Sequence, residues 1–336
     1  MNTRQIYTFS PGPCIFPLEV LQEAQRKFNE SSSAFLNMKP LSSEALELVT
    51  HCKKAIRELL KVPKDFEIIF MQGGATFQFV SVPLNLLKDK NDSAGYIVTG
   101  TWSSSALAEA KKYSKSIALN PQSKSVEWVK TIEVAAEQQS GLRYVYYCDN
   151  ETVHGVEYNK APQVSNGFLV TDMTSNFLSK PIDFRNYGVV YAGAQKNWGP
   201  SGLCTVIIRK DLLAQPKHSE LPDAYNYDKY FSEGSLSGVE PLFSLQFAKL
   251  NLDWITRNGG VESMDKAARL KSEMIYEVID KSGGFYKNPV EKNSRSRMNV
   301  IFTIKGNDES LTQKFVKESE KTGLLQLAGH RSVGGL

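Results

Sequence analysis

Short apolar runs rich in β-branched and aromatic residues recur along the first two thirds of this 336-residue sequence. They begin near residues 67, 95, 143, 168, 188 and 203, and helical patterns separate most of the earlier ones. Strands that alternate with helices predict an α/β fold with a mostly parallel, doubly wound sheet. The last two runs have only a short connection between them, which predicts one antiparallel strand in that sheet.

The sequence pattern changes after residue 210. A polar, tyrosine-rich loop leads to two long helical patterns over 241–257 and 261–280, separated by an Asn-Gly-Gly break. A strand over 298–304 and a helix over 310–322 follow, and together they predict a smaller α+β region. We therefore expect two domains: an N-terminal arm with a large domain over 1–250, and a small C-terminal domain over 251–336.

Composition and charge argue against several classes of partner. The net charge of +4 is spread along the chain without a basic run, so neither nucleic acid nor an anionic membrane surface is indicated. The N-terminus has no apolar signal region, and no uninterrupted apolar stretch approaches 18 residues. The four cysteines lie far apart, without metal-ligand or disulfide-dense spacing, which fits a reducing compartment. We expect a cytoplasmic protein without a metal site.

Two of the predicted strands each lead directly to an ionisable residue. Asp172 follows the run 168–171, and Lys196 follows the run 188–192. Ligands bind at the carboxyl edge of an open α/β sheet, so both side chains are expected at a ligand site. A lysine and an aspartate there suggest pyridoxal phosphate, with lysine as the Schiff-base amine and aspartate as the partner of the pyridine nitrogen.

The competing interpretation is that both residues are solvated loop charges, which is the commoner fate of Asp and Lys. The sequence around the lysine, Ala192-Gly-Ala-Gln-Lys-Asn-Trp-Gly-Pro-Ser-Gly, favours the functional interpretation. Small residues let the backbone approach a flat ligand. Crowding and partial burial would lower the pKa of Lys196 and free its amine as a nucleophile.

Weaker signals follow three other strands. Gly-Gly-Ala-Thr over 73–76 would open a helix whose free N–H groups bind phosphate, although a plain tight turn is equally consistent. The spacing is neither that of a dinucleotide-binding loop nor that of a P-loop, which argues against a nicotinamide dehydrogenase. Trp102 could lie flat on an aromatic cofactor or serve as a packing residue. His154 alone is better explained as structural.

Six sequence blocks carry a resemblance to a known family. They are Gln72-Gly-Gly-Ala-Thr-Phe-Gln-Phe, Val98-Thr-Gly-Thr-Trp-Ser, Asn150-Glu-Thr-Val-His-Gly-Val-Glu, Asp172-Met-Thr-Ser-Asn-Phe, Ala192-Gly-Ala-Gln-Lys-Asn and Gly329-His-Arg-Ser-Val-Gly-Gly. In this order and spacing they make the chain closely resemble the phosphoserine aminotransferase family from residue 9 to residue 336. The resemblance implies a fold-type-I enzyme with a seven-stranded sheet, pyridoxal 5'-phosphate as cofactor, and a homodimer with active sites at the subunit interface. It also implies amino transfer from L-glutamate to 3-phosphohydroxypyruvate, which gives O-phospho-L-serine and 2-oxoglutarate in serine biosynthesis.

The resemblance also assigns roles to residues of this sequence. Lys196 is similar to the Schiff-base lysine, which later acts as a base at the substrate, and Asp172 to the partner of the ring nitrogen. The other implied cofactor contacts are Trp102 stacking on the ring, Thr152 donating to the ring hydroxyl, and Ala75, Thr76 and Gln195 at the phosphate. The implied contacts to the substrate phosphate are His330 and Arg331.

Three positions depart from the family pattern. Pro40 and Leu41 stand where the family has a His-Arg pair that binds the substrate phosphate, and their side chains donate no hydrogen bonds. Gly238 and Val239 stand where the family has an Asn-Thr pair that reaches across the dimer. The chain ends at Leu336, before the family's substrate-carboxylate arginine. These departures predict pyridoxal phosphate binding with poor turnover of phosphoserine.

Several alternatives to an active phosphoserine aminotransferase therefore stay open. One is a pyridoxal phosphate-binding paralogue, or a truncated form, with altered substrate or weak turnover. Another is a non-catalytic dimerisation partner. A cysteine desulfurase would share the lysine and the aspartate, but the sequence has no cysteine in a recognisable catalytic loop.

Overall fold

A computed structural model describes residues 6–10, 12–31, 37–120, 129–236 and 241–330. The strands are Tyr7–Thr8 (β1), Phe66–Gln72 (β2), Gly95–Ile97 (β3), Ile117–Ala118 (β4), Val145–Cys148 (β5), Asn150–Glu151 (β6), Val156–Glu157 (β7), Leu169–Asp172 (β8), Tyr187–Gly193 (β9), Leu203–Arg209 (β10), Tyr286–Lys287 (β11), Thr303–Ile304 (β12) and Leu324–Leu325 (β13). The α-helices are Leu18–Glu30 (α1), Ser43–Leu60 (α2), Ala75–Leu86 (α3), Thr101–Ala110 (α4), Lys210–Leu213 (α5), Tyr227–Ser232 (α6), Leu242–Arg257 (α7), Gly260–Asp280 (α8) and Glu309–Lys321 (α9).

The large sheet has seven strands in the order β2-β10-β9-β8-β5-β3-β4. β10 is antiparallel to both of its neighbours, and the other neighbouring pairs are parallel. The predicted α/β class, the mostly parallel sheet and its antiparallel member are therefore confirmed. Sequence periodicity did not predict β4, because a two-residue strand is too short to show any period.

The large sheet is buried on both faces, which explains why its strands read as continuous apolar runs. Neighbouring residues of one strand pack into two different apolar layers, as the following pairs show: Ile68 and Ile69, Val189 and Val190, Val206 and Ile207. Helices α2 and α7 pack against each other in the first layer, and α3 and α4 lie together in the second. Helices therefore cover the large sheet on both faces.

The sheet topology brings several strand ends to one edge. β8 and β9 are parallel, so their last residues, Asp172 and Gly193, lie at the same edge of the sheet. β2 runs in the same direction as β9, since both are antiparallel to β10. Helices α3 and α4 begin shortly after β2 and β3, and their N-termini therefore point to that same edge.

The C-terminal part differs from expectation in one segment. The predicted strand over 298–304 is limited to Thr303–Ile304. The preceding residues bind the β6–β7 hairpin instead: Ser296 N donates to Gly155 O at 2.9 Å, and Asn150 Nδ2 donates to Asn299 Oδ1 at 2.8 Å. Residue 250 lies within α7, and the division into two domains there stays a prediction.

The N-terminal arm also joins the C-terminal part, because β1 pairs with β13 in parallel. None of the helices in the described part of the chain combines the length and apolar character needed to span a membrane.

Candidate active site

A cavity opens at the carboxyl edge of the large sheet. Its lining comes from the loops and helix starts that follow β2, β3, β5, β8 and β9, and consists of Gly74, Ala75, Thr76, Trp102, Cys148, Asn150, Thr152, Asp172, Thr174, Ser175, Gln195 and Lys196. The seven residues that the sequence analysis assigned to a cofactor all line this cavity. The structure thus brings together side chains that are more than a hundred positions apart in the sequence.

Lys196 occupies a short turn, Ala194–Lys196, directly after β9. Its Nζ donates to Thr152 Oγ1 at 2.5 Å and lies 5.1 Å from the centre of the Trp102 ring. Burial lowers the pKa of Lys196 from its ordinary value, and the charge of Asp172 opposes this shift. A lowered pKa gives the amine a larger unprotonated fraction, which is the form that attacks a carbonyl carbon.

Asp172 is the last residue of β8 and only 4% exposed. Its Oδ1 accepts a hydrogen bond from Thr174 N at 2.8 Å. Burial raises the pKa of Asp172, while the bonds from Thr174 and the charge of Lys196 act in the opposite direction. A buried carboxylate is stabilised by a cationic partner, and a protonated ring nitrogen would be such a partner.

The N-terminus of α3 forms the other end of the cavity. Among the described residues no side chain caps this helix, and its first turn holds no acidic residue. A Cβ placed on Gly74 would meet nothing within 4 Å, so the helix start is open. A Cβ on Gly193 would lie 3.2 Å from Ala75 N and 2.6 Å from Gln195 Oε1, which shows how closely these groups meet. Free N–H groups and the helix dipole make this end suitable for a phosphate.

Polar atoms of three cavity residues are buried without a hydrogen-bond partner in the described part of the chain. They are Trp102 Nε1, Asn150 Oδ1 and Gln195 Oε1. Buried polar atoms are nearly always paired, and unpaired ones in a cleft indicate where a ligand would bind. The uncapped helix, the lysine, the buried aspartate and these atoms together fit pyridoxal phosphate.

Sequence reasoning missed four lining residues: Cys148, Asn150, Thr174 and Ser175. Polarity was the available signal for three of them, because Asn150 belongs to the same sequence block as Thr152, and Thr174 and Ser175 belong to the block of Asp172. Cys148 is the last residue of β5 and lies outside both blocks. Thr174 Oγ1 accepts from Gly193 N at 3.0 Å and so ties the end of β8 to the end of β9.

Cys148 is not equipped to act as a nucleophile. Burial, together with the nearby carboxylates of Glu151 and Asp172, raises the pKa of its thiol well above the ordinary value. The reactive form of cysteine is the thiolate, which this environment disfavours. The cavity therefore gives no support to cysteine desulfurase chemistry.

His330, one of the two residues assigned to the substrate phosphate, is not part of this cavity lining. His330 lies near His154, whose Nε2 is 2.9 Å from Thr101 Oγ1. Burial and the proximity of His330 lower the pKa of His154 to about 4. Arg331 lies outside the described residues.

The departures from the family pattern are only partly visible in the structure. Pro40 and Leu41 form a turn before α2, where Leu41 is 74% exposed and has a φ of 62°. Gly238 and Val239 lie outside the described residues.

Comparison with known proteins places the chain in a family. The family Aminotransferase class-V matches residues 6–334. The phosphoserine aminotransferase of Drosophila melanogaster is 42% identical over an alignment of 338 positions that covers 98% of this chain and 92% of that protein. A probable phosphoserine aminotransferase of Caenorhabditis elegans is 43% identical and covers 98% of this chain and 90% of its own length. The chain belongs to the phosphoserine aminotransferase family.

Solved structures of the phosphoserine aminotransferase family have the same fold as this chain. The enzyme from Bacillus circulans subsp. alkalophilus superposes with a TM-score of 0.92 at 37% identity, over 99% of this chain and 92% of that one. The phosphoserine aminotransferase from Trichomonas vaginalis, solved with bound pyridoxal phosphate, gives a TM-score of 0.90 at 33% identity, over 99% and 94% of the two chains. The predicted fold-type-I architecture is thereby confirmed.

Proposed function

We propose that this chain is a pyridoxal phosphate-dependent phosphoserine aminotransferase of serine biosynthesis. It transfers the amino group of L-glutamate to 3-phosphohydroxypyruvate and forms O-phospho-L-serine and 2-oxoglutarate. The observation that carries the proposal is the cavity itself, where Lys196, Asp172 and the open N-terminus of α3 meet in a member of this family. Pyridoxal phosphate supplies an electron sink for negative charge that develops on the substrate Cα.

Each cavity residue has a physical role in this proposal. Lys196 provides the amine that binds the cofactor aldehyde, and afterwards the base that moves a proton at the substrate Cα. Thr152 holds Lys196 Nζ in place through its hydroxyl group. Asp172 keeps the ring nitrogen protonated, because its buried carboxylate favours a cationic neighbour. The Trp102 ring provides a flat surface against which an aromatic ring stacks.

The phosphate groups need separate sites. The N-terminus of α3, with Ala75 and Thr76, and the Gln195 side chain would bind the cofactor phosphate. For the substrate phosphate we propose His330 and Arg331, as the family resemblance implies. An arginine fork offers a phosphate two aligned, charge-assisted hydrogen bonds.

One observation favours a second candidate function. Pro40 and Leu41 occupy the position of a phosphate-binding pair, and neither side chain donates a hydrogen bond. A paralogue that binds pyridoxal phosphate but turns over phosphoserine weakly would show this feature. The two candidates differ in substrate efficiency and share the cofactor chemistry.

We also propose that the protein is a cytoplasmic homodimer. Support for the dimer comes from exposed apolar side chains on the arm and on α1. Seven large residues of the described chain are exposed there: Ile6, Tyr7, Phe9, Ile15, Leu18, Leu21 and Phe28. Exposed apolar groups in one region are typical of a surface that binds another protein. The four cysteines are free thiols, which fits a reducing compartment.

A half-reaction tests the proposed function. The purified protein, loaded with pyridoxal phosphate, is mixed separately with L-glutamate and with O-phospho-L-serine, and the cofactor absorbance is followed. A phosphoserine aminotransferase converts the cofactor to its amine form with both donors. Conversion with glutamate alone supports the second candidate, and no conversion with either donor contradicts both.

A further inference from the structure

A second buried carboxylate lies next to the cofactor cavity and has no role in the chemistry described above. Glu151 ends β6, is fully buried and directly precedes Thr152. Its Oε2 accepts from Trp102 N at 3.0 Å, and its Oε1 accepts from Ser103 N at 2.8 Å and from Ser103 Oγ at 2.5 Å. Two of these partners are backbone N–H groups in the first turn of α4.

The contact stabilises the start of α4 in a specific way. The N-cap residue is Gly100, which has no side chain to satisfy the free N–H groups of the first turn. The Glu151 carboxylate supplies those acceptors from another part of the chain, and its charge is favourable at a helix N-terminus. A Cβ on Gly100 would lie 2.4 Å from the Glu151 carboxylate carbon. Glycine is therefore required at position 100 to admit the carboxylate.

The groups around the Glu151 carboxylate require it to act as a hydrogen-bond acceptor at each of its contacts. Ser103 Oγ already accepts from Thr99 N at 2.9 Å and from Gly100 N at 3.2 Å. Its own hydrogen has two acceptors within reach, Gly100 O at 3.3 Å and Glu151 Oε1 at 2.5 Å, and the shorter distance favours Glu151. All three groups that face the Glu151 carboxylate thus act as donors. An ionised carboxylate only accepts hydrogen bonds, whereas an amide would turn an N–H group toward at least one donor.

Glu151 connects two groups on the cavity wall. It binds the backbone N–H of Trp102, whose ring lies 5.1 Å from Lys196 Nζ. It is also covalently joined to Thr152, whose Oγ1 lies 2.5 Å from the same nitrogen. A shift of this carboxylate would therefore move the ring and the hydroxyl relative to Lys196.

We propose that Glu151 is a positioning residue for the cofactor, with a carboxylate that fixes the positions of Trp102 and Thr152 relative to Lys196. This inference rests on the proposed binding of pyridoxal phosphate. It assigns to the β6–β7 hairpin a function beyond carrying Thr152, because the hairpin also sets the position of the helix that carries the stacking ring.

The chain offers a matched control for the test. Glu157 is also a buried glutamate of the same hairpin, but its carboxylate binds Arg297 and Asn176 instead of α4. Glu151→Gln and Glu157→Gln therefore make the same chemical change at two places in one hairpin. Trp102→Phe defines how much of the tryptophan emission change comes from Trp102.

The experiment is a titration of each apoprotein with pyridoxal phosphate, followed by tryptophan emission. In Glu151→Gln, most of the emission quench that depends on Trp102 should be lost. This variant should also bind pyridoxal phosphate about tenfold more weakly, which is the effect expected for the loss of a charge-assisted hydrogen bond. Glu157→Gln should keep the wild-type quench. Glu151→Asp, which retains the charge on a shorter side chain, should fall between wild type and Glu151→Gln and serves if the latter does not fold.

The outcomes separate the two proposals. If the wild-type protein does not bind pyridoxal phosphate, the proposed function fails. If the wild type binds it and both Glu151 variants show the wild-type quench and affinity, the positioning role of Glu151 is overturned. An equal loss of quench in Glu157→Gln also overturns it, because the effect would then belong to hairpin stability in general.

Discussion

Lys196 and Asp172 show how burial prepares single residues for chemistry. The same desolvation lowers the pKa of the lysine and raises that of the aspartate, because it disfavours the charged form of each. The lysine gains nucleophilic character from this shift. The aspartate gains a preference for a cationic partner, and in the proposed function a protonated ring nitrogen would be that partner.

Removal of the Lys196 amine should abolish covalent cofactor attachment. After incubation with pyridoxal phosphate and reduction with borohydride, the wild-type protein should carry a pyridoxyl group on Lys196, and Lys196→Ala should carry none. Lys217 is the control, since burial also lowers its pKa and it lies outside the cavity lining. Peptide mass spectrometry locates the group. An equal yield of pyridoxyl on another lysine of Lys196→Ala would show that the assignment is wrong.

Loss of the Asp172 charge should separate binding from turnover. Asp172→Asn retains an acceptor for Thr174 N, so the protein should still bind pyridoxal phosphate. The neutral amide no longer holds a proton on the ring nitrogen, and the rate of the half-reaction with glutamate should fall roughly a hundredfold or more. Stopped-flow absorbance measures that rate, and a near-normal value would contradict the role of Asp172.

At the scale of elements, the β6–β7 hairpin depends on contacts from distant segments. Three hairpin residues make these contacts: Glu151 binds the first turn of α4, Asn150 binds Asn299, and Glu157 binds Arg297. Arg297 donates to Glu157 at 2.6 Å through its side chain and at 2.7 Å through its backbone N–H. Through the Asn150 and Glu157 contacts a segment near the C-terminus stabilises the hairpin, whereas Glu151 joins the hairpin to the helix that carries Trp102.

The Arg297–Glu157 pair should therefore contribute strongly to stability. Both side chains are buried, so Arg297→Met leaves an incompletely paired carboxylate and should cost about 3 kcal/mol of unfolding free energy. Arg26→Met removes an exposed ion pair with Glu23 and should cost less than about 1 kcal/mol. Urea unfolding of both variants compares the two costs. Equal costs would mean that burial of the Arg297 pair has no energetic consequence.

His154, at the tip of the hairpin, should make stability depend on pH. Its pKa is about 4 in the folded protein against an ordinary value of 6.5. Between these values the unfolded chain binds a proton that the folded chain does not, so stability falls as the pH drops from 6.5 toward 4.

The control variant His154→Asn lacks this titration. The loss of melting temperature between about pH 7.5 and about pH 5 should therefore be smaller in the variant than in the wild type. Differential scanning calorimetry at the two pH values makes the comparison. An identical loss in both proteins would show that His154 does not contribute.

At the scale of the whole molecule, exposed apolar side chains on the arm and α1 predict a dimer. Sedimentation equilibrium should give twice the chain mass of 37.5 kDa. Leu18 is 65% exposed, so Leu18→Glu costs the single chain little but would place a charge in an apolar interface and should shift the equilibrium toward monomer. Thr312→Glu, on α9, is the control for the added charge. A wild-type monomer at micromolar concentration would contradict the dimer.

The sequence by itself determined six of the seven strands of the large sheet and the placement of Lys196 and Asp172 at one edge of it. Six strands were visible because apolar runs of β-branched residues are a local pattern, and the connections between them dictate parallel pairing. Lys196 and Asp172 could be placed at one edge because parallel strands present their carboxyl ends together. Family resemblance then supplied Ala75, Thr76, Trp102, Thr152 and Gln195, which the structure gathers in one cavity.

Only the tertiary structure decided how that cavity is supported. Glu151 and Trp102 are 49 positions apart, and Glu157 and Arg297 are 140 apart, so no local periodicity links them. The same contacts explain why the predicted strand over 298–304 is limited to Thr303–Ile304, since Ser296 and Asn299 bind the hairpin before the strand begins. Local sequence patterns indicate which side chains are buried. Which buried donor meets which buried acceptor is decided by the packing of distant segments, because each polar group must find its partner within the folded core.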